Sequence, residues 1–184
     1  SLISIGTGAS IGREGSVTQM IATLASKLGQ WFDWQPYRLR LLVGCGAAAG
    51  IGQAEDIIET PIAFARDRET FGRPIAQHQV VAHRLADCAT ELEAARAFLY
   101  SVVWRIQAGE YPVAEISMVK KFVAQAQNRI ADACLQIHGG AGYMQEYAVS
   151  RQFRDARLQR IGAGTDEVMN EVIAKRLGLG APRG

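Results

Sequence analysis

Residues 81–109 read VAHRLADCATELEAARAFLYSVVWRIQAG, and residues 113–140 read VAEISMVKKFVAQAQNRIADACLQIHGG. From Val81 the apolar positions Leu85, Cys88, Leu92, Ala95, Leu99, Val102 and Ile106 recur at alternating steps of four and three. That spacing keeps one stripe on one side of a helix. Val119, Val123, Ala126, Ile130, Ala133 and Ile137 repeat the pattern in the second run. Gly109 with Pro112 stops the first run, and Gly139 with Gly140 stops the second. The spacing predicts long helices over 77–108 and 113–138, joined by a short turn and therefore antiparallel. About thirty residues of helix reach ~45 Å, so the bundle is expected to be elongated. Shorter helical patterns cover 54–68, 147–159 and 166–177. Thr165 is placed to cap the last of these, with Asp166 and Glu167 complementing the dipole of its first turn. The fold class is all-α: an antiparallel helix bundle with a Gly-rich N-terminal helical appendage, and no sheet is expected over 54–184. The two stripes carry more apolar surface than two or three helices can cover, which predicts at least a homodimer.

Composition changes along the chain. Of 20 Lys+Arg and 18 Asp+Glu, only six fall in residues 1–52: Arg13, Glu14, Lys27, Asp33, Arg38 and Arg40. Nine of the 19 glycines crowd into the same stretch. This divides the chain into residues 1–52 and 53–184. The longest uncharged run, Leu41–Ala54, is fourteen residues; a membrane-spanning helix needs ~20, so a buried helix is expected. A net charge of +2 gives no footprint for nucleic acid. Cys45, Cys88 and Cys134 are odd in number and widely spaced, which predicts free thiols. They form no zinc spacing with His78, His83 or His138, so no metal is expected. The start, Ser-Leu-Ile-Ser-Ile-Gly, has neither a basic leader region nor an initiating Met, which suggests a piece of a longer protein.

Three segments carry chemistry that a bundle does not need. Arg68-Glu-Thr-Phe-Gly-Arg-Pro-Ile-Ala-Gln-His-Gln79 puts an exposed Arg, a Gly/Pro turn and a Gln at the head of a helix, which suits a pyrophosphate. Gln136-Ile-His-Gly-Gly-Ala-Gly-Tyr143 is a glycine cluster directly after a long helix. Arg154-Asp-Ala-Arg157 is followed by Ile161-Gly-Ala-Gly-Thr-Asp-Glu167, leading into another helix. Each also has a plain reading: a surface Arg, a helix stop and a capped helix start.

In this order and at these separations the three resemble the C-terminal signature of the acyl-CoA dehydrogenase family, from about Ala54 to Leu179. The resemblance implies a domain that packs against a second subunit with FAD in the interface, as a homodimer or homotetramer. Arg68, Thr70 and Phe71 with Gln79 would hold the pyrophosphate and adenosine of the partner subunit's FAD, and Gln136 and Gly140 its adenosine end. Thr165 and Glu167 would bind the flavin of their own subunit. The implied reaction is α,β-dehydrogenation of an acyl-CoA thioester, with a glutamate as base and electron-transfer flavoprotein as a possible acceptor. The implied location is the bacterial cytoplasm or the mitochondrial matrix. Many members carry the base directly before Gly-Thr, where this chain has Ala163. Members such as the isovaleryl and long-chain enzymes place it about seven turns upstream of the Arg; counting back twenty-six residues from Arg68 reaches Leu42. Glu55, Asp56 and Glu59 are the nearest acids, and no catalytic residue is assigned.

Residues 5–52 have a different affinity. Ile5-Gly-Thr-Gly-Ala-Ser-Ile-Gly-Arg-Glu-Gly-Ser16, followed by Leu41-Leu-Val-Gly-Cys-Gly-Ala-Ala-Ala-Gly-Ile-Gly52, is similar to chloride channels and chloride/proton exchangers. Glu14 would stand at the gating position, with Ser16 replacing the family's proline. A nucleotide loop (GxGxxxG) and a plain glycine-rich turn are the rival readings of this stretch. For the whole chain, the rivals to a dehydrogenase domain are a membrane transport fragment and a helical dimerisation module without chemistry.

Overall fold

The computed structural model describes residues 36–179, with side chains from Gly46 onward. The segment containing Glu14, and the side chain of Leu42, lie outside the described residues. Helix α1 (Pro36–Asp67) is followed by a two-strand ladder, β1 (Glu69–Thr70) and β2 (Arg73–Pro74), and a 3-10 turn at Ile75–Gln77. Helices α2 (Gln79–Gln107) and α3 (Val113–His138) form the long pair. A single turn α4 (Gly140–Tyr143), α5 (Ala148–Gln159) and α6 (Asp166–Arg176) complete the chain.

The all-α expectation holds, but the expectation of no sheet at all was too strict. Thr70 pairs with Arg73 across a two-residue loop, in which both Phe71 (φ 53°) and Gly72 (φ 76°) lie in the left-handed region. Two successive positive φ values are the backbone of a tight hairpin turn, so the motif's turn closes as a ladder of two residue pairs. The 3-10 turn also delays α2 to Gln79, two residues later than its period suggested.

The α2 stripe lies where its period puts it: Cys88, Leu92, Ala95, Leu99 and Val102 are buried. Its end uses Gly109 (φ 84°), with Gly109 N–H donating to the Ile106 carbonyl (3.0 Å) and Glu110 N–H to the Arg105 carbonyl (3.0 Å). That reciprocal pair satisfies carbonyls the helix leaves orphaned.

Helix α3 is more deeply enclosed than its stripe implied. It packs against α1, α2, α5 and α6, and its contact with α1 exceeds that with α2. Ala133 and Ile137, expected inside, are only partly covered, whereas Ala131, Cys134 and His138 are buried. A helix flanked on several sides needs several apolar seams, so polar positions are enclosed too: Ser117, Lys120 and Gln127 lie inside. Gln127 Nε2 donates to Gln53 Oε1 (2.9 Å), which also accepts from Gln159 Nε2 (3.1 Å). One amide oxygen thus joins α1, α3 and α5.

The described part of the glycine-rich run is helical, with Ala47, Gly50, Ile51 and Ala54 buried on one side. A Cβ at Gly50 would meet Val123 Cγ1 at 3.1 Å, so glycine there lets α1 approach α3 closely. The helix continues unbroken through Gly52. Among the described residues, no helix is long and apolar enough to cross a membrane, and no cluster of ligands could hold a metal.

Candidate functional site

The first motif becomes a presented loop. Arg68 directly follows α1; its N–H donates to the Phe64 carbonyl (2.9 Å) and its carbonyl accepts from Ile75 N–H (2.8 Å), leaving the side chain exposed. Phe71 stands at the hairpin tip, 97% exposed and left-handed. A bulky aromatic in that conformation is disfavoured by about 1–2 kcal/mol, and its exposure recovers none of that through burial. His78 braces the hairpin from the head of α2. Its Nε2 lies 3.2 Å from both the carbonyl and the hydroxyl of Thr70, and Arg73 Nη2 donates to its Nδ1 (3.3 Å). Because a guanidinium can only donate, Nδ1 accepts and Nε2 carries the proton. A cavity of about 350 Å³ lies beside this loop, lined by Thr70, Phe71, His78, Arg84, Gln136 and the apolar Val81, among others.

The glycine cluster divides by role. A Cβ on Gly142 would come within 2.6 Å of the Leu135 carbonyl oxygen, so packing of α4 on α3 demands glycine there. Gly140 has no atom within 4 Å of its would-be Cβ and is exposed. His138 is buried, donates from Nδ1 to the Cys134 carbonyl (2.8 Å) and stacks on Phe64 at 4.3 Å. This pins the cluster to the end of α1.

The third motif is a second presented turn. Ala163 (φ 53°) and Gly164 (φ 104°) are both left-handed, and Ala163 is exposed. Thr165 caps α6, accepting from Val168 N–H at 3.4 Å. The Thr165 hydroxyl holds the exposed Glu167 carboxyl below its ordinary range. Asp166 is buried; its Oδ2 accepts from Arg160 Nε (2.7 Å) and Gln125 Nε2 (3.0 Å). Burial alone would push this carboxyl up, but those hydrogen bonds and the charges of Arg160 and Lys120 outweigh it and hold it down.

Of the sequence-derived candidates, the cavity brings together Thr70, Phe71 and Gln136. Arg68 is beside that loop in the chain; Gln79 opens α2 and Gly140 opens α4, and neither lines the cavity. Thr165 and Glu167 belong to a separate cluster along the N-terminal half of α3. From Gln125, which touches Asp166, to Gln136 is eleven residues, or ~16 Å of helix. Arg84 and Lys120 were not singled out by sequence reasoning; His78 was given no site role there, and Asp166 only a helix-dipole one. Lys120 had a signal: it falls between Ile116 and Val123 on the buried seam, a polar residue where the period calls for an apolar one. Among the described residues only Phe71 and Ala163 combine a side chain with positive φ, and each lies in one of the two clusters.

Residues 38–178 match the family described as "Acyl-CoA dehydrogenase, C-terminal domain". The chain belongs to the acyl-CoA dehydrogenase family. It is 37% identical over 131 residues to a probable acyl-CoA dehydrogenase of Bacillus subtilis, covering 71% of this chain and 34% of that protein. It is likewise 37% identical over 131 residues to the caffeyl-CoA reductase-Etf complex subunit CarC of Acetobacterium woodii, covering 71% and 35%. The crystal structure of acyl-CoA dehydrogenase from Geobacillus kaustophilus superposes with a TM-score of 0.74 at 35% identity, covering 77% of this chain and 37% of that one. The chain therefore spans about a third of the length of the curated relatives it matches. Residues 1–63 also match the voltage gated chloride channel family. Of the residues so matched, 36–63 lie in α1, whose Ala47, Ile51, Ala54, Ile57 and Ile58 are built into the dehydrogenase-type bundle core.

The residues present suit the dinucleotide that an acyl-CoA dehydrogenase uses. The hairpin cavity offers an aromatic face (Phe71), a guanidinium (Arg84) and an amide (Gln136), the donor set for a base and a phosphate group. At the far cluster, Thr165 stands at the N-terminus of α6, the kind of position that suits a phosphate.

Proposed function

We propose that this chain is the flavin-holding, self-associating domain of an enzyme that dehydrogenates an acyl-CoA thioester. The observation that carries the reading is the coincidence of strain and exposure: Phe71 and Ala163, the two non-glycine residues with positive φ among those described, both sit on outward turns within the family motifs. Strained, solvent-facing backbone contributes nothing to the bundle and is retained where a ligand uses it.

In this reading Arg68, Thr70, Phe71, Gln79, Gln136 and Gly140 engage the FAD of a partner subunit, and Thr165 and Glu167 engage their own. The flavin, when bound, supplies the two-electron acceptor. This chain's residues anchor its phosphates and adenosine and present the Ala163 turn toward the thioester. Ala163 cannot accept a proton, and neither can Leu42, so the carboxylate that removes the α-proton has to come from another position.

A homodimer or homotetramer follows from the surface. Tyr100, Val103 and Trp104, spaced three and four apart, leave an aromatic face of α2 uncovered, with Phe71, Val80 and Tyr143 exposed elsewhere. Electron-transfer flavoprotein is the acceptor this reading favours, supported by the Etf complex named for the A. woodii relative. The test is FAD titration of the parent protein and Arg68→Ala. Loss of a charge-assisted hydrogen bond of about 1.5–3 kcal/mol weakens binding roughly ten- to a hundredfold. Equal dissociation constants would sink the flavin reading.

A further inference from the structure

Lys120, in the N-terminal half of α3, is 5% exposed. Lysine is almost never so enclosed unless its ammonium has partners. Its Nζ donates to the carbonyl oxygen of Gly164, and the carboxylates of Asp166 and Glu167 supply the opposing charge. Its neighbour Lys121 also reaches the α6 region but by the surface, donating to Asn170 Oδ1 at 2.8 Å. Two successive residues of α3 thus make two different attachments: one outside, to the body of α6, and one inside, to the turn that precedes it.

The turn needs the inner attachment. Ala163 and Gly164 are consecutive left-handed residues, a combination the backbone does not favour for a residue with a Cβ. Within the turn Thr165 caps Val168, which fixes α6 but not the carbonyl ahead of it. Asp166 is 6% exposed and occupied on one oxygen only: Oδ2 takes Arg160 and Gln125, while Oδ1 is enclosed without a hydrogen-bond partner. Arg160 and Gln125 therefore hold the residue after the cap, leaving Lys120 as the group that orients the Gly164 peptide.

We propose that Lys120 is the positioning residue of the Ala163–Thr165 turn, fixing the Gly164 carbonyl from inside the bundle so that Ala163 and Thr165 are held outward. That the turn serves a flavin rests on the function proposed above; that Lys120 sets the turn does not.

The experiment compares Lys120→Met, which keeps length and apolar volume but removes the donor, with Lys121→Met in the 184-residue protein. Each is read by the 13C shift of the Gly164 carbonyl, by amide exchange of residues 165–168, by thermal melting and by FAD titration. In Lys120→Met the Gly164 carbonyl resonance moves upfield and the amides of 165–168 exchange roughly ten- to a hundredfold faster. Protection in α1 to α3 is unchanged, and Lys121→Met alters none of these. An unchanged carbonyl shift, or faster exchange spread evenly along α3, overturns the proposal, the latter because Lys120 would then be a core residue only. A second measurement needs no variant: trace acylation of the folded parent labels Lys120 far more slowly than Lys121, and equal rates overturn the assignment. FAD affinity separates the two readings. If the parent protein does not bind FAD, the flavin reading fails and the turn result stands. If Lys120→Met loosens the turn yet binds FAD as the parent does, the positioning role stands and the assignment of this turn to the flavin fails.

Discussion

Alanine substituted at Gly140 and at Gly142 should give opposite results two residues apart. At Gly142 the added methyl would lie 2.6 Å from the Leu135 carbonyl oxygen, 3.1 Å from His138 Cβ and 3.2 Å from Leu135 Cγ. The nearest atom is backbone of α3, the best-enclosed helix, so relief requires α4 to move. Overpacking of that kind costs about 1–3 kcal/mol. Alanine recovers about 0.5–1 kcal/mol of it by restricting the unfolded chain. The net loss is centred near about 1 kcal/mol and reaches about 2.5 kcal/mol, and at about 2–4 °C per kcal/mol for a chain of this size the melting temperature falls by roughly 2–4 °C and by at most about 10 °C. At Gly140 a methyl meets nothing within 4 Å and φ is not positive, so Gly140→Ala is neutral or stabilising by up to about 1 kcal/mol. Thermal melts by circular dichroism, with urea midpoints as a second probe, measure both. If the two variants melt together, or if Gly142→Ala raises the melting temperature, the packing account of the glycine cluster is wrong.

Two carboxyls should give opposite pH responses. Asp166 is held below its ordinary range in the fold, so its contribution is complete at neutral pH and is lost as pH falls through that lowered value; Asp166→Asn should flatten the acid limb of a stability–pH curve. Burial raises the Asp155 carboxyl, opposed by Arg154 and Arg151, so its burden is greatest at neutral pH and eases on acidification; Asp155→Asn should stabilise at pH 7 and less at pH 4, and a loss at pH 7 would contradict this. Cys134 is fully buried, and its thiol is pushed up by its hydrogen bond with Cys88 and by burial. Alkylation read by peptide mass spectrometry should reach Cys134 only as fast as the bundle opens, and rapid labelling in native buffer would show otherwise.

What could be read along the chain were features set within a few residues of themselves. The ends of α3, the start of α6 and its Thr165 cap, and the stop at Gly109 depend on periodicity, caps and left-handed glycines, all local. The motif residues could be named for the same reason, since their identity and order survive without coordinates. Which faces would meet was a different matter. The pairing of α2 with α3 followed from a shared apolar period, but a period cannot say that α1 and α5 also close over α3, so the enclosure of Lys120 and Gln127 is visible only in the packing. The hairpin at Phe71 was invisible as a strand because two residues carry no alternation. The separation of the candidates into two clusters, Thr70 with Gln136 and Thr165 with Glu167, came from the length of α3 between them. Sequence alone determined the helices and the chemistry available to them; tertiary packing decided which polar groups lost their water, because burial depends on contacts between residues far apart in the chain.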